Sequence, residues 1–528
     1  MMKIVSRFRN MFRTQAALTA ADTERGTRLL TVDGVCSMSM ATLQGGPFLP
    51  AFALALGAGS YEIGLITTIL FLSQLMQLPG VFVMRYVPSR RAFVAICAAV
   101  SRGLWVFIIL IPLLFYNRGV TFLLQWLLIA SLAGALAGPA WNSLLRDIVP
   151  QQNMGSIFAR RLVVGNLFII ALTLAGGQFV KLWRDRFPEA ELAAYSLLFA
   201  VGLGFGLVGI AAITRLPEPA HDHEAAAEPV LATVTAPVGD RNFRGLVWFI
   251  ACWNFAINLA APFFIIYMMK RIGLTLGTVT WLFVLNRVAN VFFLRIWGRL
   301  ADRFSNKSVI AVSAPLFLLS VLLWTFTTLP ERHALTMPLL IAIHVLSGIA
   351  LAGVSLATAN IALKLSPKGK AHSYMTCYGL AGAVAGAAAP MLGGTLADFF
   401  ASRELALTLN WAAPDKVYAV HALSLRALDF LFVIALVGGV MALKLLGRVA
   451  EAGEVEEDVV RDELKNEMLG GLRNLSAVAG VRHLVTIPVA AVYRAVQPTA
   501  RQQTDEQTDE QTDKQTDKQA DGQAERTD

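Results

Sequence analysis

Charge is what this chain has least of. Only 15% of its 528 residues are Asp, Glu, Lys or Arg, while 56% are apolar. Soluble domains carry about a quarter charged residues. The few charges cluster between apolar runs, several of them longer than 20 residues, enough to cross a hydrocarbon core of about 30 Å. That excludes a soluble globular protein and implies a polytopic membrane protein. Cysteine is scarce too. Cys36, Cys97, Cys252 and Cys377 all fall in apolar runs, with neither a disulfide nor a zinc spacing, and read as buried free thiols. No GxxxxGK[ST] loop occurs, so ATP drive within this chain is not expected. No nucleophile–base pair or metal-ligand cluster stands out, so neither an enzyme nor a cofactor or metal is expected. The basic stretch 1–15 lacks the apolar core and cleavage site of a signal peptide. It reads either as an amphipathic helix on an anionic leaflet or as a solvated tail.

The apolar runs are continuous rather than alternating, which argues for helices over strands. Twelve spans lie near 29–56, 62–84, 92–116, 119–145, 162–183, 193–214, 245–269, 278–298, 307–329, 336–362, 374–400 and 426–447. The loops after spans 2, 4, 8 and 10 each carry three basic residues. These are Arg85, Arg90 and Arg91; Arg146, Arg160 and Arg161; Arg299, Arg303 and Lys307; Lys364, Lys368 and Lys370. The loops after spans 1, 3, 7 and 9 hold none, Arg118, Lys270 with Arg271, and Arg332. Lys and Arg are retained on the cytoplasmic side, which places both termini there in a plasma (inner) membrane. Lys181, Arg184 and Arg186 after span 5 run against the trend. The net charge of +9 is thus a topology signal, and no nucleic-acid partner is expected.

The second half repeats the first. Pro47-Phe48 matches Pro262-Phe263 at an offset of 215, and Gly57 matches Gly273 at 216. Asn142 matches Asn360 at 218; Pro150 and Ser156 match Pro367 and Ser373 at 217; Gly176-Gly177 matches Gly393-Gly394 at 217. A nearly constant offset implies two copies of a six-helix unit, an arrangement that usually holds a binding site between its halves. The expected layout is a basic tail 1–28, a first bundle 29–214, a linker 215–244, a second bundle 245–447, and a tail 448–501. An apolar stretch in that tail reads as an amphipathic, interfacial helix. Residues 502–528 repeat QTDE and QTDK, too polar to bury a core and expected to be disordered. His221 and His223 in the linker read as solvated residues rather than metal ligands.

After span 8 the chain reads GRLADRFSNK. Gly298, Asp302, Arg303 and Lys307 in it match the loop signature Gly-x-x-x-Asp-Arg/Lys-x-Gly-Arg-Arg/Lys, with Ser305 and Asn306 in place of the usual Gly and Arg. A worn copy after span 2 keeps Gly80 and Arg85, with Met84 where the Asp belongs. Met154 likewise replaces the Arg of a Pro-x-x-x-Arg-Gly turn after span 4. On these residues the chain, over about 29–447, resembles the major facilitator superfamily. The resemblance implies an all-α integral membrane fold of twelve transmembrane helices in two pseudo-symmetric six-helix bundles. It also implies that spans 1, 4, 7 and 10 line a central cavity, that span 8 borders it, and that span 3 lies outside. The signature residues would act as a gate between the halves. Span 5 lacks the Gly-Pro pattern of the superfamily's drug antiporters, which disfavours drug efflux.

Charges at membrane depth cost about 2.5–3.5 kcal/mol each on insertion scales, and are functional suspects. Asp33 in span 1 and Arg102 in span 3 differ little in depth and read as a structural ion pair. An N-cap role for Asp33 and a proton-coupling role stay open. Arg287 in span 8 has no evident acid partner, which invites either an anionic ligand held by a forked hydrogen bond or a structural hydrogen-bond network. Asn290 shares its helical face. Gln44, Asn254, Asn258 and His344, on spans that would line the cavity, complete the candidate substrate site. Trp126 and Trp253 lie at similar depth and read as packing residues. The expected function is a secondary active transporter that moves a small organic solute, anionic on the strength of Arg287, by alternating access. Its partners would be that solute, membrane lipid and a coupling proton or sodium ion, and it would act as a monomer. The alternative is a non-transporting sensor or membrane scaffold.

Overall fold

The computed structural model of the chain describes residues 15, 18–84, 86–149, 154–219, 235, 237–328, 331–367, 370–413, 416–451, 453 and 459–464. The expectations for Arg85, Lys368, His221, His223 and the segment 465–528 lie outside the described residues. Among the described residues eleven helices are long and apolar enough to cross a membrane, from Ser60–Met84 to Asp429–Leu446. They are spans 2 to 12. Span 1 is the twelfth, split into Ala20–Leu43 and Phe48–Ala55.

Span 1 starts earlier than the expected residue 29. A capping box sets its start: the Asp22 N–H donates to Thr19 Oγ1, and the Asp22 carboxylate accepts from the Thr19 N–H. Its break follows from Gly46 and Pro47. Gly46 adopts φ +46°, which an L side chain resists, and Pro47 has no N–H to continue the ladder. Span 7 breaks at the matching position. Arg241–Ala260 ends before Pro262, and the chain continues as Phe263–Ile266 and a π turn, Tyr267–Arg271. Gly57 and Gly273, paired by the sequence offset, both take left-handed φ, +92° and +75°.

Three sequence expectations need correction. The helix of span 5 covers Met154–Arg186, so Arg160 and Arg161 are helical rather than loop residues. Arg90 and Arg91 are buried at the first turn of span 3 rather than exposed in a loop. Between spans 11 and 12 lies an antiparallel hairpin, β1 (Glu404–Ala413) with β2 (Lys416–Arg426), where a connecting loop was expected. The segment ELALTLNW alternates in polarity as a half-exposed strand does. Arg426 Nη2 closes the base of the hairpin on Glu404 Oε1 at 2.5 Å.

The face that carries the basic loops is tied within each half by a buried carboxylate. Ser89 caps span 3, and Glu218, just beyond span 6, is wholly buried against that helix start. Glu218 Oε1 accepts from the Arg90 N–H at 2.7 Å and Oε2 from Ser89 Oγ at 2.6 Å. Arg90 also donates to Asp147 at 2.6 Å. In the second half Ser305 caps span 9, and Glu451, just beyond span 12, takes the equivalent place. It accepts from the Lys307 N–H at 2.7 Å, Asn306 Nδ2 at 2.9 Å and Lys364 Nζ at 2.9 Å. A carboxylate at a helix N-terminus satisfies orphan N–H donors and meets the positive end of the helix dipole.

On the opposite face the halves press together along spans 2 and 11 and along spans 5 and 8. Thr68 Oγ1 of span 2 donates to the Ala387 carbonyl of span 11 at 2.8 Å. A Cβ on Gly394 would sit 2.7 Å from Tyr61 Cα, so this crossing needs glycine. Gly177 of span 5 lies as tightly against Thr280 of span 8.

Glu218→Ala should destabilise the fold by about 3–5 kcal/mol, the cost of stripping one partner from a buried ion pair. Chemical unfolding in mild detergent measures it, and a change near zero would contradict this role. Burial pushes the Glu451 carboxyl up, but Lys364, the Lys307 N–H and Asn306 outweigh it and hold it below the ordinary 4.5. A depressed carboxyl gives stability above its unfolded value that is lost as pH falls through its folded value. The wild type should therefore lose stability below about pH 4.5 more steeply than Glu451→Gln, as read from melting temperatures across pH.

Candidate functional site

Within a bilayer each polar group has to find its partner inside the protein. The first bundle meets that demand around Asp33. Arg102 of span 3 lies with Nη2 3.5 Å from Asp33 Oδ1 and donates to Ser37 Oγ at 3.0 Å. Ser37 Oγ in turn donates to Asp33 Oδ1 at 3.2 Å. Arg102 Nη1 reaches the Gly206 carbonyl of span 6. Glycine at 206 and 209 clears the room: a Cβ on Gly209 would meet Arg102 Nη1 at 2.6 Å and Asp33 Oδ1 at 3.0 Å. Three spans are thus pinned through one guanidinium. Arg161 of span 5 packs on the bare face of Gly34, within electrostatic reach of Asp33.

These residues stand at one end of a cavity of about 590 Å³ lined by the first half alone. Its size falls in the usual range for ligand pockets. Gln44 and the Gly45-Gly46 break lie along it, with Trp105, Leu127 and Trp141 among its walls. Gln44 is buried, and its Nε2 donates to the Phe199 carbonyl at 3.0 Å while Oε1 has no partner.

The other candidate residues sit elsewhere. Arg287 Nε donates to Asn166 Oδ1 of span 5 at 2.8 Å, a side-chain bond that joins the halves. Asn286 Nδ2 donates to Ser347 Oγ and to the His344 carbonyl, at 2.8 and 3.1 Å. Asn290 Nδ2 donates to the Gly348 carbonyl at 3.2 Å. These bonds clamp span 8 to span 10. His344 is 6% exposed, bonded through Nδ1 to the Leu340 carbonyl at 2.8 Å and packed against Trp324 and Phe283. Asn254 and Asn258 are half-buried and donate to carbonyls of their own helix. Trp126 stacks on Phe107 at 4.3 Å, and Trp253 is buried beside Phe249 and Phe317. Gln44 and Arg287 therefore belong to different places, one in the first-bundle cavity and one at the seam.

The signature residues divide too. Gly80 lets span 2 approach the Leu136 carbonyl of span 4. Gly298 has only Leu356 near it, at 3.9 Å. Asp302 is exposed, and Arg303 pairs with Glu463 beyond span 12. Lys307 is buried and serves Glu451 through its backbone.

Sequence reasoning missed Arg161, Asn166, Trp105 and Trp141. Arg161 was hidden by its position, because a basic residue beside a span end reads as a loop charge. Gly34, seven residues before the small face of Ala41, held the only local hint that a bulky group lies against span 1.

The family model described as Major Facilitator Superfamily matches residues 246–490. Solved structures similar to this one include a mutant of the nucleoside transporter NupG, at 12% identity and TM-score 0.62, covering 80% of this chain and 100% of that one. A bacterial homologue of the iron transporter ferroportin in an inward-facing state is 12% identical, TM-score 0.54, covering 81% and 98%. A bacterial homologue of the human lysosomal transporter Spinster, inward-facing and occupied, is 14% identical, TM-score 0.55, covering 82% and 97%. No curated protein matches the chain. The chain thus shares the fold of these solved transporters, and its residues 246–490 match the superfamily's model, which supports a membrane transporter.

Arg102→Met should cost about 3–5 kcal/mol by leaving Asp33 buried without its partner. The double variant Asp33→Asn/Arg102→Met should recover part of that loss. Thermal unfolding of the purified variants tests the coupling, and additive effects would refute it.

Proposed function

We propose that this chain is a secondary active transporter that moves a small organic anion by alternating access. The observation that carries the reading is Arg287. It lies in a span that borders the seam of the halves, and its one bond among the described residues goes to neutral Asn166 across that seam. A guanidinium at this depth with no carboxylate is an expensive feature to keep unless an anion visits it. Because Asn166 belongs to the other half, an anion that competes for Arg287 would loosen one contact between the bundles. Binding would then be linked to their rocking. Asn254 and Asn258 of span 7, together with Asn290 and His344, are kept as the polar surroundings of the solute path, and Gln44 is assigned to the first-bundle cavity instead.

The orientation follows from loop charge. Basic loops are retained in the cytoplasm, so the termini, the linker 215–244 and the tail from 448 are assigned there, in an inner membrane. The glycine-lined contacts of spans 2 with 11 and 5 with 8 then lie on the outer side. This supports an inward-facing state, the state in which two of the similar structures were solved. The signature residues Gly80, Arg85, Gly298, Asp302, Arg303 and Lys307 are assigned to the opposite gate. In the absence of a nucleotide-binding loop, a proton or sodium gradient is the proposed energy source, and a monomer the proposed unit.

The hairpin favours a second reading. It stands outside the bundles and exposes Leu405 and Leu407, each 56% accessible, as a docking element of a scaffold or sensor would. Reconstituted liposomes separate the two. The transporter reading expects uptake of at least one organic anion from a metabolite panel, driven by a pH or sodium gradient. Arg287→Ala should lower that uptake about tenfold or more with expression intact, since a charge-assisted hydrogen bond is worth about 1.5–3 kcal/mol. Unchanged uptake would remove Arg287 from the path, and no transport of any solute would leave the scaffold reading.

A further inference from the structure

We infer that the cavity inside the first bundle binds an amphiphilic monoanion, a single carboxylate on an apolar chain. The inference concerns binding and does not depend on the transport reading or on Arg287, which does not line this cavity.

The charge balance comes first. The polar end of the cavity holds Asp33, Arg102 and Arg161, two guanidinium groups against one carboxylate. Arg102 is engaged by Asp33, Ser37 and the Gly206 carbonyl. Arg161 has no hydrogen bond among the described residues and faces the cavity from the surface of Gly34. One fork of donors is left, and it matches one carboxylate. A dianion would exceed the spare charge.

The walls decide the rest of the ligand. Beyond Ser37, Gln44, Ser101 and Ser131 they are formed largely by Met40, Leu49, Leu70, Trp105, Leu127 and Ile213. A sugar or nucleoside placed there would leave most of its hydroxyls without partners, at a cost of roughly 1–3 kcal/mol each. An apolar chain would instead exchange water for aliphatic and indole surface. From Asp33 to Gln44 span 1 rises about 16 Å along the cavity, at roughly 1.5 Å per residue. Glycine and alanine at positions 41, 45, 46, 134, 137 and 138 keep this length open. A ten-carbon chain with its head at Arg161 fits that length.

The test uses the full chain in a non-ionic detergent with ring-free brominated decanoate as the probe. Trp105 and Trp141 line the cavity, so bound bromine should quench tryptophan fluorescence saturably. Binding competed by decanoate but not by decanol is expected. Affinity should rise about threefold to fourfold per methylene from hexanoate to decanoate. Arg161→Gln should weaken decanoate about tenfold or more. Ala98→Phe, which fills the cavity, should abolish saturable quenching even if Arg161→Gln fails to fold. Equal competition by decanol, or unchanged binding in Ala98→Phe, would overturn the proposal.

Discussion

A guanidinium placed inside a bilayer has to be answered by the protein around it, and this requirement organises the molecule. Arg102 is answered in full. Asp33 supplies the charge, Ser37 relays between the two, and span 6 offers a carbonyl across a surface stripped to glycine. The same group therefore holds spans 1, 3 and 6 in register. Arg161 and Arg287 are answered less completely: one stands beside a cavity within a bundle, the other on the seam between bundles. The degree of satisfaction, more than the presence of charge, separates Arg102 from the other two.

The internal symmetry is also a matter of satisfied backbone. Each half ends its last span with a glutamate that turns back onto the first N–H groups of its third helix. The side chains that surround it differ. The first half gathers two arginines and Asp147, whereas the second uses an asparagine amide, a lysine backbone and Lys364 from span 10. A helix start exposes the same N–H donors whatever its sequence, so the carboxylate keeps its place while its neighbours drift. The same logic allows a shared fold at about 12% identity to solved transporters.

The two faces are held by unlike forces. On the basic face buried ion pairs act within each half. On the other, backbone contact across glycine joins the halves. Lipid gives no hydrophobic drive between helices, so close packing must supply the adhesion there. Contacts of that kind are lost or regained as whole surfaces, which suits the proposed rocking of the halves.

Much of this was legible in the chain itself. Long continuous apolar runs set the number of helices, because a bilayer admits few other backbones. The constant offset of Pro47-Phe48 and Gly57 from their partners set the duplication, since helix breaks and left-handed turns demand particular residues. Three things required the tertiary structure. Arg161 is a candidate site residue only because span 5 starts early enough to lay it on Gly34. Asn286 and Asn290 bond to span 10, and His344 packs on Phe283 of span 8, because of which helix stands opposite them. Glu218 and Glu451 matter through distant helix starts that no local pattern names. Sequence fixes what a residue can bond to, but the partner is chosen by packing between segments far apart in the chain.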